Sequence, residues 1–90
     1  MMPKRVEFRA EFFKEDDTYV GICRELNVSS FGETLDGARK ALAEAVEAFL
    51  EECDRMGTLG EVLEEAGFFL SGGVWYLREA VAEEKLVVCG

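Results

Sequence analysis

From Thr34 to Met56 the apolar side chains recur at helical spacing, and no other stretch constrains the chain so tightly. Set at about 100° per residue, Leu35, Ala38, Leu42, Ala45, Val46, Phe49, Cys53 and Met56 fall within a sector about 100° wide. Asp36, Lys40, Glu44, Glu47, Glu51 and Asp54 collect on the opposite side. Thr34 is a good N-cap, and Asp36 meets the positive end of the helix dipole. Gly37 stands where a reciprocal capping box would want Glu or Gln. Glu51 and Arg55 are spaced for an i,i+4 pair worth about 0.3–0.5 kcal/mol. Gly57 suits the left-handed conformation that stops a helix. At about 1.5 Å per residue such a helix is roughly 33 Å long, enough to cross a small sheet.

The residues before it read as short strands. Val6 to Phe12 alternates, with Val6, Phe8, Ala10 and Phe12 facing one way and Glu7, Arg9 and Glu11 the other. Phe13 breaks the alternation and marks a place where both faces are expected to be covered. Lys14 to Asp17 is a charged turn, Thr18 to Cys23 a second strand, and Val28 to Glu33 a third. Gly21 signals a bulge or a close backbone approach, and Gly32 a tight turn into the helix. Strands followed by one long one-sided helix define an α+β protein: a small antiparallel sheet with the helix packed across it in a β-β-β-α order.

Beyond the helix, Thr58-Leu59-Gly60-Glu61 matches a capping box for a short second helix. Its apolar face is Leu59, Val62, Leu63 and Ala66, and Gly67 ends it. Phe68-Phe69-Leu70 precedes the breaker Ser71-Gly72-Gly73. Residues 75–82 suit a strand, a helix or a loop held by its aromatics, and Lys85 to Cys89 reads as a C-terminal strand. Ninety residues make one domain, 1–90, with a core over 4–56 and an extension over 57–90. A chain this short buries only about 60–65% of its unfolded surface, so a homo-dimer or higher homo-oligomer is expected.

Nineteen acidic residues against ten basic ones leave a net charge of −9. That surface repels nucleic-acid phosphates and anionic membranes. Between Ala41 and Leu77 the acids Glu44, Glu47, Glu51, Glu52, Asp54, Glu61, Glu64 and Glu65 face a single base, Arg55. Such a face steers a basic partner, or else simply keeps the chain in solution. Histidine is absent, which removes His metal ligands and Ser-His or Cys-His catalysis. Cys23, Cys53 and Cys89 follow no ligand spacing and suit buried free thiols in a reducing cytoplasm. No apolar run approaches membrane-spanning length, and no apolar signal region follows the N-terminal Met1-Met2-Pro3-Lys4-Arg5.

Other candidate chemistry is thin. Glu7 with Glu11, and Glu33 with Asp36, offer carboxylates for two Mg²⁺ ions in a nuclease, but so acidic a chain makes such pairs by chance. Ser29 and Ser30 have no base beside them. Gly57-Thr58-Leu59-Gly60 lacks the Lys of a phosphate loop, so the glycines are helix punctuation. Phe68-Phe69 and Trp75-Tyr76 would stack bases only in a less acidic setting, and core or interface packing explains them better. Cys23 and Arg24, adjacent in a strand, point to opposite faces.

Asp16-Asp17-Thr18-Tyr19-Val20-Gly21-Ile22-Cys23-Arg24-Glu25-Leu26, then Ser30-Phe31-Gly32-Glu33-Thr34-Leu35-Asp36-Gly37-Ala38 and the Ala-rich helix, resemble the HicB-like antitoxin family. The matching region runs from about Val6 to Leu50, and Leu59 to Phe68 looks like an extension common in relatives. Arg24 stands where the family usually has Pro, and Gly37 where it usually has Glu, which marks a divergent branch. The resemblance implies a partial ribonuclease-H-like fold and a non-catalytic antitoxin that neutralises HicA, a small basic ribonuclease. It implies no cofactor, no metal and no catalytic residue. The C-terminal DNA-binding domain of full-length members is not expected from the acidic, aromatic residues after Gly67. Candidate partner contacts are Glu44, Glu47 and Glu51 on the helix and Glu15, Asp16 and Asp17 in the turn. The rival expectations are an orphan structural or regulatory oligomer and, behind it, a metal-dependent nuclease.

Overall fold

A computed structural model describes residues 5–90. In chain order its elements are β1 (Arg5–Val6), β2 (Glu11–Glu15), β3 (Thr18–Cys23), β4 (Val28–Gly32), α1 (Leu35–Arg55), α2 (Leu59–Glu65), β5 (Phe68–Ser71) and β6 (Val74–Leu77). They form two three-stranded sheets, β2-β3-β4 and β1-β6-β5. The first is antiparallel throughout; in the second, β1 runs parallel to β6 and β5 antiparallel to it. The chain is therefore α+β, with one long helix of 21 residues.

The β2–β3 hairpin closes through Asp16-Asp17, with Glu15 paired to Thr18 and Asp16 at φ +54°. A short polar side chain tolerates that left-handed conformation. Asn27, at φ +55°, does the same between β3 and β4. At Gly21 the ladder is continuous, so there is no bulge. The glycine is needed for close approach: a Cβ there would lie 2.8 Å from Phe12 Cε1 and 3.3 Å from Leu42 Cδ2. At Gly32 a Cβ would lie 2.6 Å from the Ala38 backbone nitrogen, so the missing side chain lets α1 turn back onto the strand it has just left.

Helix α1 is held at both ends. Thr34 Oγ1 accepts from the Gly37 backbone N–H at 2.9 Å, so the cap forms without an acidic side chain at Gly37. At the other end Thr58 N–H donates to Cys53 O and Gly57 N–H to Asp54 O, with Gly57 at φ +75°. That pair of bonds is the Schellman arrangement. The helix lies on β4 and β3. Its buried residues are Ala38, Leu42, Val46, Leu50 and Cys53. Leu50 was not on the expected face, while Leu35 and Met56 were on it and are 41% and 66% exposed. The buried arc is rotated toward Leu50 because α2 also packs on α1, and the two exposed residues sit at the helix ends.

Four further expectations change. The strand expected over Val6 to Phe12 is divided: β1 pairs with β6, β2 pairs with β3, and Glu7 to Ala10 crosses between the sheets. Its alternation survives, because Val6, Phe8, Ala10 and Phe12 all pack on one core. Thr58 forms no side-chain cap on α2; its hydroxyl donates to Cys53 O at 3.3 Å instead. Arg55 pairs with Glu52 at 2.7 Å, three residues back, and not with Glu51. Ser71-Gly72-Gly73 is a hairpin turn, with both glycines at positive φ, and it leads into β6. The C-terminal strand is thus Val74–Leu77, and residues 78–90 carry no helix or strand. Lys85 to Cys89 has the propensity for a strand, but propensity is expressed only against a partner edge.

The core joins both sheets and both helices. Cys23, Leu26, Leu42, Val46, Leu50, Cys53, Leu59, Leu63 and Phe68 are buried together, and Trp75 and Leu77 pack against them. Residues 4–56 and 57–90 therefore do not have separate interiors among the described residues.

Candidate functional site

Residues of α1 that face away from the sheet are spaced so that Glu44, Glu47 and Glu51 form one stripe, about 10 Å from first to last. All three are exposed, and none belongs to an ion pair among the described residues. Nearer the N-terminus the same face is balanced, with Asp36 3.5 Å from Arg39 and 3.4 Å from Lys40. The outward surface of α1 thus grades from neutral to acidic along its length.

Glu15, Asp16 and Asp17 are also exposed, but they stand elsewhere. Tyr19 pairs with both Lys14 and Gly32, so the turn lies at the end of the sheet from which α1 departs. Glu44 to Glu51 lie roughly 14–24 Å along the helix from that end. The fold gathers the helical carboxylates into one strip and leaves the turn as a separate acidic point.

The remaining candidates are scattered over the molecule. Glu7 pairs with Arg5 at 2.9 Å, and Glu11 pairs with Arg24. Among the described residues no group of three or more acids or thiols is placed to hold a metal ion. Ser29 is exposed on β4 and Ser30 is half-buried toward α1. Phe68 and Trp75 belong to the core, and Phe69 stacks on its cross-strand neighbour Tyr76 at 5.8 Å. Cys23 and Cys53 are buried free thiols, but Cys89, expected to be buried, is exposed because residues 78–90 join no sheet. Burial pushes the Cys23 thiol up, partly offset by a backbone hydrogen bond from Leu26, so it stays protonated and a poor nucleophile. A shallow cleft of about 340 Å³ is lined by Arg9, Glu11, Arg24, Glu25 and Glu83, in which both signs of charge alternate. Arg9 reaches the C-terminal segment there, donating to Arg78 O at 3.4 Å and lying 4.0 Å from Glu83.

One surface escapes a reading of the sequence. Gly21 faces α1, so its neighbours Val20 and Ile22 point to the other side of the sheet, with Phe13 and Phe31 beside Val20 in register. Phe13 is 43% exposed and Phe31 71% exposed. The face expected to be covered at Phe13 is open. The signal was present in β3, which is apolar at Val20 and Ile22 on the side that a one-faced sheet would leave polar.

Comparison with protein-family models, with curated proteins and with solved structures found no match. No helix among the described residues is long and apolar enough to cross a membrane.

Proposed function

We propose that this protein is a non-catalytic, cytoplasmic binding module of the HicB-like kind, which neutralises a small basic ribonuclease of the HicA type. The observation that carries the proposal is the carboxylate strip Glu44-Glu47-Glu51, unpaired among the described residues, on a helix backed by a β-β-β sheet. Carboxylates spaced along one face match the way phosphates run along an RNA backbone, so a cationic RNA-binding surface would accept them in its place. The Glu15–Asp17 turn adds a second, separate contact on a partner wide enough to reach it. The sequence resemblance over Val6 to Leu50 supports the same assignment, including its partial ribonuclease-H-like architecture.

The test is co-expression with the product of the neighbouring gene, pull-down, and titration of the purified pair. Exposed ion pairs contribute up to about 1 kcal/mol each. Reversing Glu44, Glu47 and Glu51 to Lys together therefore weakens association by roughly 10- to 100-fold and flattens its salt dependence. Unchanged affinity removes the acidic-helix contact. Absence of a short basic reading frame beside the gene favours the orphan oligomer. A heat of Mg²⁺ or Mn²⁺ binding together with RNA cleavage would return the nuclease to first place.

A further inference from the structure

The open side of the β2-β3-β4 sheet ends at an unprotected edge. Strand β2, at one side, carries Glu11, Lys14 and Glu15, charges that discourage a further strand. Strand β4, at the other, is Val28-Ser29-Ser30-Phe31-Gly32, with no charge and no proline, and among the described residues it pairs only with β3. Beside it on the open face run Phe31, Val20 and Phe13 in one cross-strand row, with Ser29, Ile22 and Glu11 in the other. Glu11 is neutralised by Arg24 at the far margin.

We propose that β4 is a self-association edge: it pairs antiparallel with β4 of a second copy, joining two three-stranded sheets into one of six strands with both α1 helices on the same side. Charge selects that occupant. A basic partner is drawn to the acidic helix and gains nothing from an uncharged edge, whereas two chains of net charge −9 can approach each other only where the local charge is nil. The strand is also self-complementary. A two-fold axis through Ser30 sets Phe31 opposite Ser29 of the second copy, and brings the two Phe31 rings into diagonal contact at about 7–8 Å. Each Phe13-Val20-Phe31 row then meets the Ser29-Ile22-Glu11 row of the other chain.

This inference does not rest on the existence of a toxin.

The experiment is sedimentation equilibrium on the full chain, with Phe31→Glu, Ser29→Lys and, at the other uncharged edge, Leu70→Glu. Wild type and Leu70→Glu are expected at twice the chain mass. Phe31→Glu and Ser29→Lys are expected at the chain mass, with helical circular dichroism unchanged because both side chains are exposed. Should Phe31→Glu misfold, Ser29→Lys decides alone. A monomeric wild type, a dimer indifferent to both β4 variants, or a dimer broken by Leu70→Glu alone overturns the proposal.

Discussion

Two glycines carry more of the architecture than any single apolar residue, and they do so differently. A Cβ at Gly21 meets the ring of Phe12 and a methyl of Leu42, side chains that can yield by a few tenths of an ångström. A Cβ at Gly32 meets backbone, with Ala38 N at 2.6 Å and Gly37 C at 2.7 Å, and backbone in a capped first turn has nowhere to go. Gly21→Ala is expected to cost about 1–2 kcal/mol, and Gly32→Ala about 3 kcal/mol or more because the whole start of α1 must lift off β4. Urea denaturation of the two variants checks the order; equal losses would mean that the helix start is softer than its hydrogen bonds imply. Both glycines stood out in the sequence. The sequence left Gly21 open between a bulge and a close approach and marked Gly32 as a turn; what each glycine approaches needed the fold.

At the level of elements, the segment after Gly57 is a working part of the core. Leu63 of α2 is fully buried, and Phe68 of β5 lies in the same cluster as Leu50 and Cys53 of α1. Leu63→Ala is therefore expected to lower stability by about 2–5 kcal/mol, and to do so for the entire chain. The check is a denaturation curve followed by the helical signal, most of which comes from α1. One shifted transition is the expected result, whereas an unshifted helix signal would show that residues 57–90 fold apart from it. Helix α1 was legible almost to the residue because amphipathic period, N-cap and C-terminal glycine agree. The first strand was less so. Its alternation reports a continuous core beneath it, and carries no mark of the point where the chain leaves one sheet for the other.

For the molecule as a whole, the charge imbalance acts on stability as well as on partners. The described chain spans 41 × 34 × 23 Å. At 0.01 M salt the Debye length is about 30 Å, so nearly every carboxylate feels every other; at 0.1 M it is about 10 Å. The ion pairs that salt would weaken are exposed and worth little, so relief of self-repulsion wins. Thermal midpoints are expected to rise by a few degrees between those salt concentrations, read by circular dichroism. A falling midpoint would mean that the surface pairs outweigh the net charge.

Local signals determined the fold class, the span of α1, the β3 and β4 strands and the acidic helix stripe, because each depends on side chains a few residues apart. Tertiary structure decided everything that needs a distant partner. It placed the Glu15–Asp17 turn away from Glu44, Glu47 and Glu51, brought β1 beside β6, left Lys85 to Cys89 without a strand to join, and exposed Phe31 on an open sheet. A side chain's periodicity states which neighbours it shares a face with; only the packed chain states whether anything covers that face.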